Sequence, residues 1–165
     1  FPQLLQLCGV DYDASLYSWN KVLVFNLGFD SKGADTRNNW VYFPSKELSF
    51  YRIGYYDNIF GADRMSLYVE LGFDKDAPID VEYWFERVLA DLRSAGIITT
   101  QQLVSHHSVV MDPAYVHINE QCTADVQAKK ALLAEHDIYS IGRYGSWTYC
   151  SIEDGMCEAR ATAKL

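Results

Sequence analysis

The sequence predicts an α+β fold, a largely antiparallel mixed sheet backed by helices, on three observations. Met65 to Phe73 alternates cleanly, with Leu67, Val69, Leu71 and Phe73 on one face and Ser66, Tyr68 and Glu70 on the other, as a half-buried strand requires. Val81 to Ala95 places Val81, Trp84, Phe85, Val88, Leu89 and Leu92 at helical spacing, between an N-cap at Asp80 and a stop at Gly96. The elements are mostly strands with two interposed helices and no strict βαβ alternation, which favours antiparallel pairing.

Taken in order, Phe1 to Gly9 reads as the tail of a helix with Leu4, Leu5 and Cys8 on one side and Gly9 closing it. Lys21 to Phe29 is apolar on both faces and suits a strand covered on both sides. The polar run 31–39 is a loop. Aromatic strands at 39–44 and 49–56 form a hairpin through Ser45, Lys46, Glu47 and Leu48. Residues 57–63 read as a loop, 65–73 as the alternating strand and 103–111 as a further strand continuing less regularly through Pro113 and Tyr115. Thr123 to His136 is a weaker helix with Val126, Leu132 and Leu133 on its apolar side. Ile138 to Gly142 reads as a short strand, and Gly145 as a relaxed bend. Trp147 and Tyr149 share one side of an extended run, and Ser151 with Asp154 has the form of a capping box opening a last helix.

Composition narrows the function. The 165 residues are one domain's worth, and 49% hydrophobic with 15% aromatic content argues for a packed core. A net charge of −8 disfavours a nucleic-acid backbone or an anionic membrane as partner, though a small phosphate ligand needs only two or three placed arginines. No run is long and apolar enough to span a bilayer as a helix, and no secretory signal is present. Cys8, Cys122, Cys150 and Cys157 are scattered, which suits reduced thiols in the cytoplasm better than a disulfide framework. His106 and His107 fall on opposite faces of a strand and cannot share one metal ion. The chain opens at Phe1-Pro2 and closes at Ala163-Lys164-Leu165 in what reads as an unfinished helix, so it is expected to be a piece of a longer protein.

Chemistry is harder to place. There is no GxGxxG, P-loop, HExxH or Gly-x-Ser-x-Gly. Arg52 lies in an aromatic strand opposite Tyr42, where an arginine must either pair with a carboxylate such as Glu70 or receive a ligand. Arg143 and the helix N-terminus after Ser151 could hold a large anion, or form an ordinary corner with a surface arginine.

Across most of its length the chain resembles UDP-galactopyranose mutase and its relatives among the amine-oxidase-like flavoproteins. The resemblance rests on WVYFP followed by FYR, on SLYVEL, on Tyr115 after Asp112-Pro113, and on GRYGSWTY. It departs at Ala114 and Val116, where the mutases usually carry glycine and proline, and at CSIEDGM after Tyr149. It implies the substrate-domain portion of such a flavoprotein, with residues 1–137 binding substrate and 138–165 contacting flavin. It implies Tyr42, Arg52, Tyr115 and Tyr149 on the substrate diphosphate, and Arg143, Gly142, Glu153 and Asp154 on the cofactor side. It implies FAD as the cofactor, held by the full-length protein and not by this fragment, whose reduced ring would attack the anomeric carbon of a nucleotide sugar as the diphosphate leaves. An amine-oxidase-type oxidoreductase with another substrate and a non-catalytic ligand-binding module are the other two readings.

Overall fold

A computed structural model describes residues 1–164. The order is α1 (Pro2–Leu7), a 3-10 turn (Ala14–Leu16), β1 (Trp19–Phe29), β2 (Trp40–Tyr42), β3 (Arg52–Tyr55), α2 (Tyr56–Phe60), β4 (Ser66–Asp74), α3 (Val81–Ser94), β5 (Leu103–Val116), α4 (Glu120–Ala134), α5 (Gly142–Gly145) and α6 (Ile152–Thr162). The five strands form one sheet in the order β2-β3-β4-β1-β5. β2 and β4 both pair antiparallel with β3. The Asp30 N–H donates to Gln102 O and the His117 N–H to Ser18 O, so β1 and β5 also run antiparallel. The α+β class and the antiparallel sheet agree with the sequence. Contacts gather into two compact units, residues 21–113 and residues 1–20 with 114–165.

In the first of these units, β3 sits between its two partners in a register that sorts side chains by face. Val41, Ile53 and Val69 are cross-strand partners and face the core; Trp40, Gly54 and Tyr68 are partners on the other face, as are Tyr42, Arg52 and Glu70. The core gathers Leu23, Phe25, Leu27, Ile53, Leu67, Val69 and Leu71 with Val88, Leu89 and Leu92 of α3. That helix starts where Asp80 accepts from the Tyr83 N–H at 3.0 Å. It stops in a Schellman arrangement: Gly96 at φ 70° lets the Ile97 N–H reach Leu92 O and its own N–H reach Arg93 O.

Several expectations are corrected here. β1 is covered fully on one face only; Val22, Leu23, Phe25, Leu27 and Phe29 are buried, while Val24 and Asn26 are half-buried. The regular part of the hairpin is shorter than expected, and Tyr56 leaves it to begin α2. Residues 57–63 are therefore not all loop. The buried Asp57 accepts from the Ser66 N–H and pairs with Lys32 at 2.6 Å, which fixes that short helix.

The second unit packs Leu5, Tyr17, Cys122, Val126, Leu133 and Trp147 together. α4 begins three residues earlier than the apolar pattern suggests, because Asn119 caps it by accepting from the Cys122 N–H. Residues 138–142 form no strand. Gly142, at φ 79°, turns the chain into α5 and aims its N–H at Glu158 Oε2, 2.7 Å away. Gly145 serves close approach instead of a bend, since a Cβ there would lie 2.9 Å from Ser140 Oγ. Of the last expected helix, Leu165 lies outside the described residues and α6 ends at Thr162.

Glu158 ties α4, α5 and α6 together, accepting from Gly142, Ser146 and Lys130. Burial works against its charge, but the hydrogen bonds from Ser146, Gly142 and Lys130 outweigh it and hold the carboxyl below the ordinary value of 4.5. A depressed carboxyl contributes stability above its unfolded pKa and loses it as pH falls through the folded value. Glu158→Gln is therefore expected to flatten the acid limb of a melting-temperature profile below pH 4.5. An unchanged acid limb would show that these bonds do not set the response.

Candidate functional site

The exposed face of β2, β3 and β4 carries an aromatic cluster around one arginine. Cross-strand register puts Tyr42, Arg52 and Glu70 in a row. Arg52 Nη2 pairs with Glu70 Oε1 at 2.5 Å, and Arg52 Nη1 donates to the Tyr42 hydroxyl at 2.9 Å. The other oxygen of Glu70 accepts from the Tyr51 hydroxyl. Glu70 is 5% exposed, whereas Tyr42 is 58% and Trp40 56% exposed. The guanidinium carbon stands 5.5 Å from the ring centre of Tyr42, 5.9 Å from Tyr51 and 6.0 Å from Tyr68, within cation–π range of all three.

Gly54 shapes this face. A Cβ on it would fall 1.8 Å from the Tyr68 ring, so that ring occupies the space a side chain would take and lies against β3. Tyr68 then meets Tyr56 at 5.1 Å, and Tyr56 stacks on Phe60. Burial pushes the Tyr68 phenol above its ordinary value, countered in part by Arg52, so it stays a hydrogen-bond donor. Gly54→Ala is expected to expel the ring and raise its accessibility to nitration while leaving the core intact. A Tyr68 that reacts no faster would place the ring elsewhere.

The other expected site residues lie in the second unit. Arg143, on α5, donates from Nη2 to Cys150 O at 2.7 Å and lies over Tyr149 at 4.7 Å and Tyr115 at 6.0 Å. Among the described residues no carboxylate pairs with it. The structure thus brings Tyr115, Tyr149 and Arg143 together, although the resemblance divided them between substrate and cofactor. Trp147 and Tyr149 do not share a side: Trp147 takes φ 46° and is buried, while Tyr149 is 70% exposed.

The N-terminus of α6 differs from an open anion site. The Ser151 hydroxyl accepts from the Asp154 N–H at 3.1 Å, and Asp154 accepts from the Ser151 N–H and hydroxyl, both at 2.8 Å. Those bonds hold the Asp154 carboxyl low, and Glu153 adds a second negative charge to the first turn. The capping box is the one expected, but it engages the Ser151 and Asp154 N–H donors that an anion would use, and the helix end meets two carboxylates before any ligand.

Glu70 entered the sequence reading only as the alternative partner of Arg52, and the structure gives it that place. Gly54 and Tyr51 were not singled out at all. The alternation at 65–73 already put Tyr68 and Glu70 on one face, but nothing in it registers them against Gly54 and Arg52. Among the described residues no helix is long and apolar enough to cross a membrane, and no group of three His, Cys, Asp or Glu could hold a metal ion.

This fold is similar to parts of two solved structures. A reduced UDP-galactopyranose mutase matches it with a TM-score of 0.71 and 23% sequence identity, over 82% of this chain and 30% of the mutase. A putative protoporphyrinogen oxidase from Exiguobacterium sp. 255-15 matches with a TM-score of 0.72 and 15% identity, over 99% of this chain and 40% of its own. The chain spans less than half the length of either. No protein-family model and no curated protein matches the sequence.

Proposed function

We propose that this chain is the substrate-binding and C-terminal flavin-contacting part of an FAD-dependent enzyme resembling UDP-galactopyranose mutase. It acts on a nucleotide sugar in cell-surface polysaccharide synthesis in the cytoplasm, without a nucleic-acid or membrane partner. The observation that carries this reading is the Arg52 cluster: an arginine anchored from behind by a buried carboxylate, with tyrosine rings and hydroxyls around its open side. Such a face gives a ligand both ring surfaces and directed donors.

For the cofactor, Arg143 fits a group that carries negative charge, because its guanidinium lies on tyrosine rings and pairs with no carboxylate among the described residues. Glu153 and Asp154 do not fit one, being exposed carboxylates on the same helix turn. FAD, when bound, supplies the nucleophilic or redox chemistry. The residues of this chain assigned to binding and orienting substrate in this reading are Tyr42, Arg52, Tyr115 and Tyr149.

UDP is expected to protect the longer FAD-loaded protein that carries this chain against thermal unfolding, by about 2.7 kcal/mol when present at about 100 times its Kd. No protection, together with flavin reduction by a non-nucleotide donor, would replace this reading with an oxidoreductase, which the oxidase likeness over nearly the whole chain favours. The 165-residue chain purified alone is expected to carry no flavin absorbance.

A further inference from the structure

We infer that the free edge of β5 pairs antiparallel with the same edge of a second copy of this chain, about a two-fold axis at His107. β5 closes one side of the sheet, and among the described residues no strand lies beyond it. A bare edge offers a row of backbone N–H and C=O groups, and proteins ordinarily blunt it with a short strand, charges, proline or a covering segment. The opposite edge follows that rule, since β2 is only three residues long. β5 runs for 14 residues, and from Leu103 to Met111 (LVSHHSVVM) it carries no Asp, Glu, Lys, Arg or Pro. Val104 is 60%, Val109 41% and Val110 42% exposed, and Ser105, His106 and His107 between them are exposed too. An uncharged strand rich in β-branched residues suits pairing and not open solvent.

The residues along the edge point to a second copy as the occupant. Two identical strands paired antiparallel make an isologous contact, so residue i of one lies opposite residue j of the other, and j opposite i. With His107 on the axis, Val104 lies opposite Val110 of the second copy, Leu103 opposite Met111, Ser105 opposite Val109 and His106 opposite Ser108. Apolar side chains then meet apolar ones at both ends, and the His106 imidazole reaches a hydroxyl. Neighbouring registers are poorer. An axis at His106 sets Val104 against Ser108, and an axis at Ser108 sets Val104 against Asp112 and His107 against Val109. His106 stacks on Phe85 of α3 at 4.2 Å, so one face of the strand is already backed by that helix and the edge is what stays open. Glu82 and Glu86 of α3 share a recess with His106 and Ser108 on that face, beside the edge and not along it.

The test is sedimentation equilibrium of the 165-residue chain. A reversible dimer is expected, with a Kd on the order of 10 μM, because a single strand pair is a small interface. His107→Lys sets two ammonium groups against each other at the axis. It is expected to weaken the dimer at least about tenfold with an unchanged circular dichroism spectrum, the position being exposed. Crosslinking reads the register. With Cys8, Cys150 and Cys157 replaced by serine, His107→Cys is expected to form an intermolecular disulfide on mild oxidation, since directly opposed residues stand about 4.5–5.5 Å apart at Cα. Val104→Cys, about 20 Å from its own copy in that register, is expected to form none. This comparison keeps the test decisive if His107→Lys does not fold. A chain that is monomeric at about 200 μM, a dimer indifferent to His107→Lys, or a crosslink at Val104→Cys and not at His107→Cys overturns the inference. So does a longer FAD-loaded protein that stays monomeric while the chain dimerises, because the edge is then covered from within it.

Discussion

Arg52→Ala is expected to destabilise the fold by about 3–5 kcal/mol, the cost of leaving a buried carboxylate without its partner. The carboxylate is Glu70, whose side chain is 7% exposed against 22% for Arg52, so little water can replace the lost guanidinium. Tyr51 still donates to it, and that bond keeps the loss within the range instead of beyond it. The double variant Arg52→Met with Glu70→Gln removes both charges and leaves an acceptor for Tyr51. It is expected to recover most of the loss, since a buried pair replaced as a whole is often neutral in stability. Urea melts of the three variants give the coupling directly. If Arg52→Ala melts like the parent, Glu70 is satisfied without Arg52 and the pair does not hold the hairpin. Of the two roles the sequence left open for Arg52, a carboxylate partner or a ligand, the first is present in the fold. The structure makes the pair with Glu70 the first consequence of the substitution and any effect on ligand the second.

Trp147→Ala is expected to cost a similar amount, about 3–5 kcal/mol, for a different reason. Trp147 is 4% exposed and meets the rings of Tyr17 at 5.4 Å and Trp19 at 5.8 Å, both edge-on, so its removal opens a cavity in the core of its unit. Its backbone sits at φ 46°, where a side chain with a Cβ is strained by about 1–3 kcal/mol. Trp147→Gly relieves that strain while deleting the same ring. It is therefore expected to be no less stable than Trp147→Ala, against the usual penalty of about 0.5–1 kcal/mol for glycine over alanine in regular structure. Tyr149→Ala, two residues on and 70% exposed, is expected to change stability by less than about 0.5 kcal/mol. A Trp147→Ala variant that melts within that margin would mean the ring is not part of the core.

The strong periodic segments were legible because periodicity reports burial directly. Met65 to Phe73 and Val81 to Ala95 became β4 and α3 with boundaries within a residue or two, since their apolar faces are continuous and their ends are marked by Asp80 and Gly96. The capping box at Ser151 and Asp154 was legible for the same local reason: both its bonds span three residues. Short elements were not. Residues 56–60 become α2 because a buried Asp57 meets Lys32 and Ser66, and residues 142–145 become α5 because Gly142 meets Glu158, sixteen positions on. Such bonds have no period to read.

The site divides along the same line. By itself the sequence determined the α+β class, the aromatic hairpin, and the presence of an arginine in it that had to be paired or liganded. Only the tertiary structure decided which. The register of β3 against β4 puts Arg52 opposite Glu70 and Gly54 under Tyr68, while Arg143 is laid on Tyr149 and Tyr115 without a carboxylate. Whether an arginine's charge is spent depends on what lies within a few ångströms across strands, and a shift of one residue in pairing would send every one of those side chains to the opposite face.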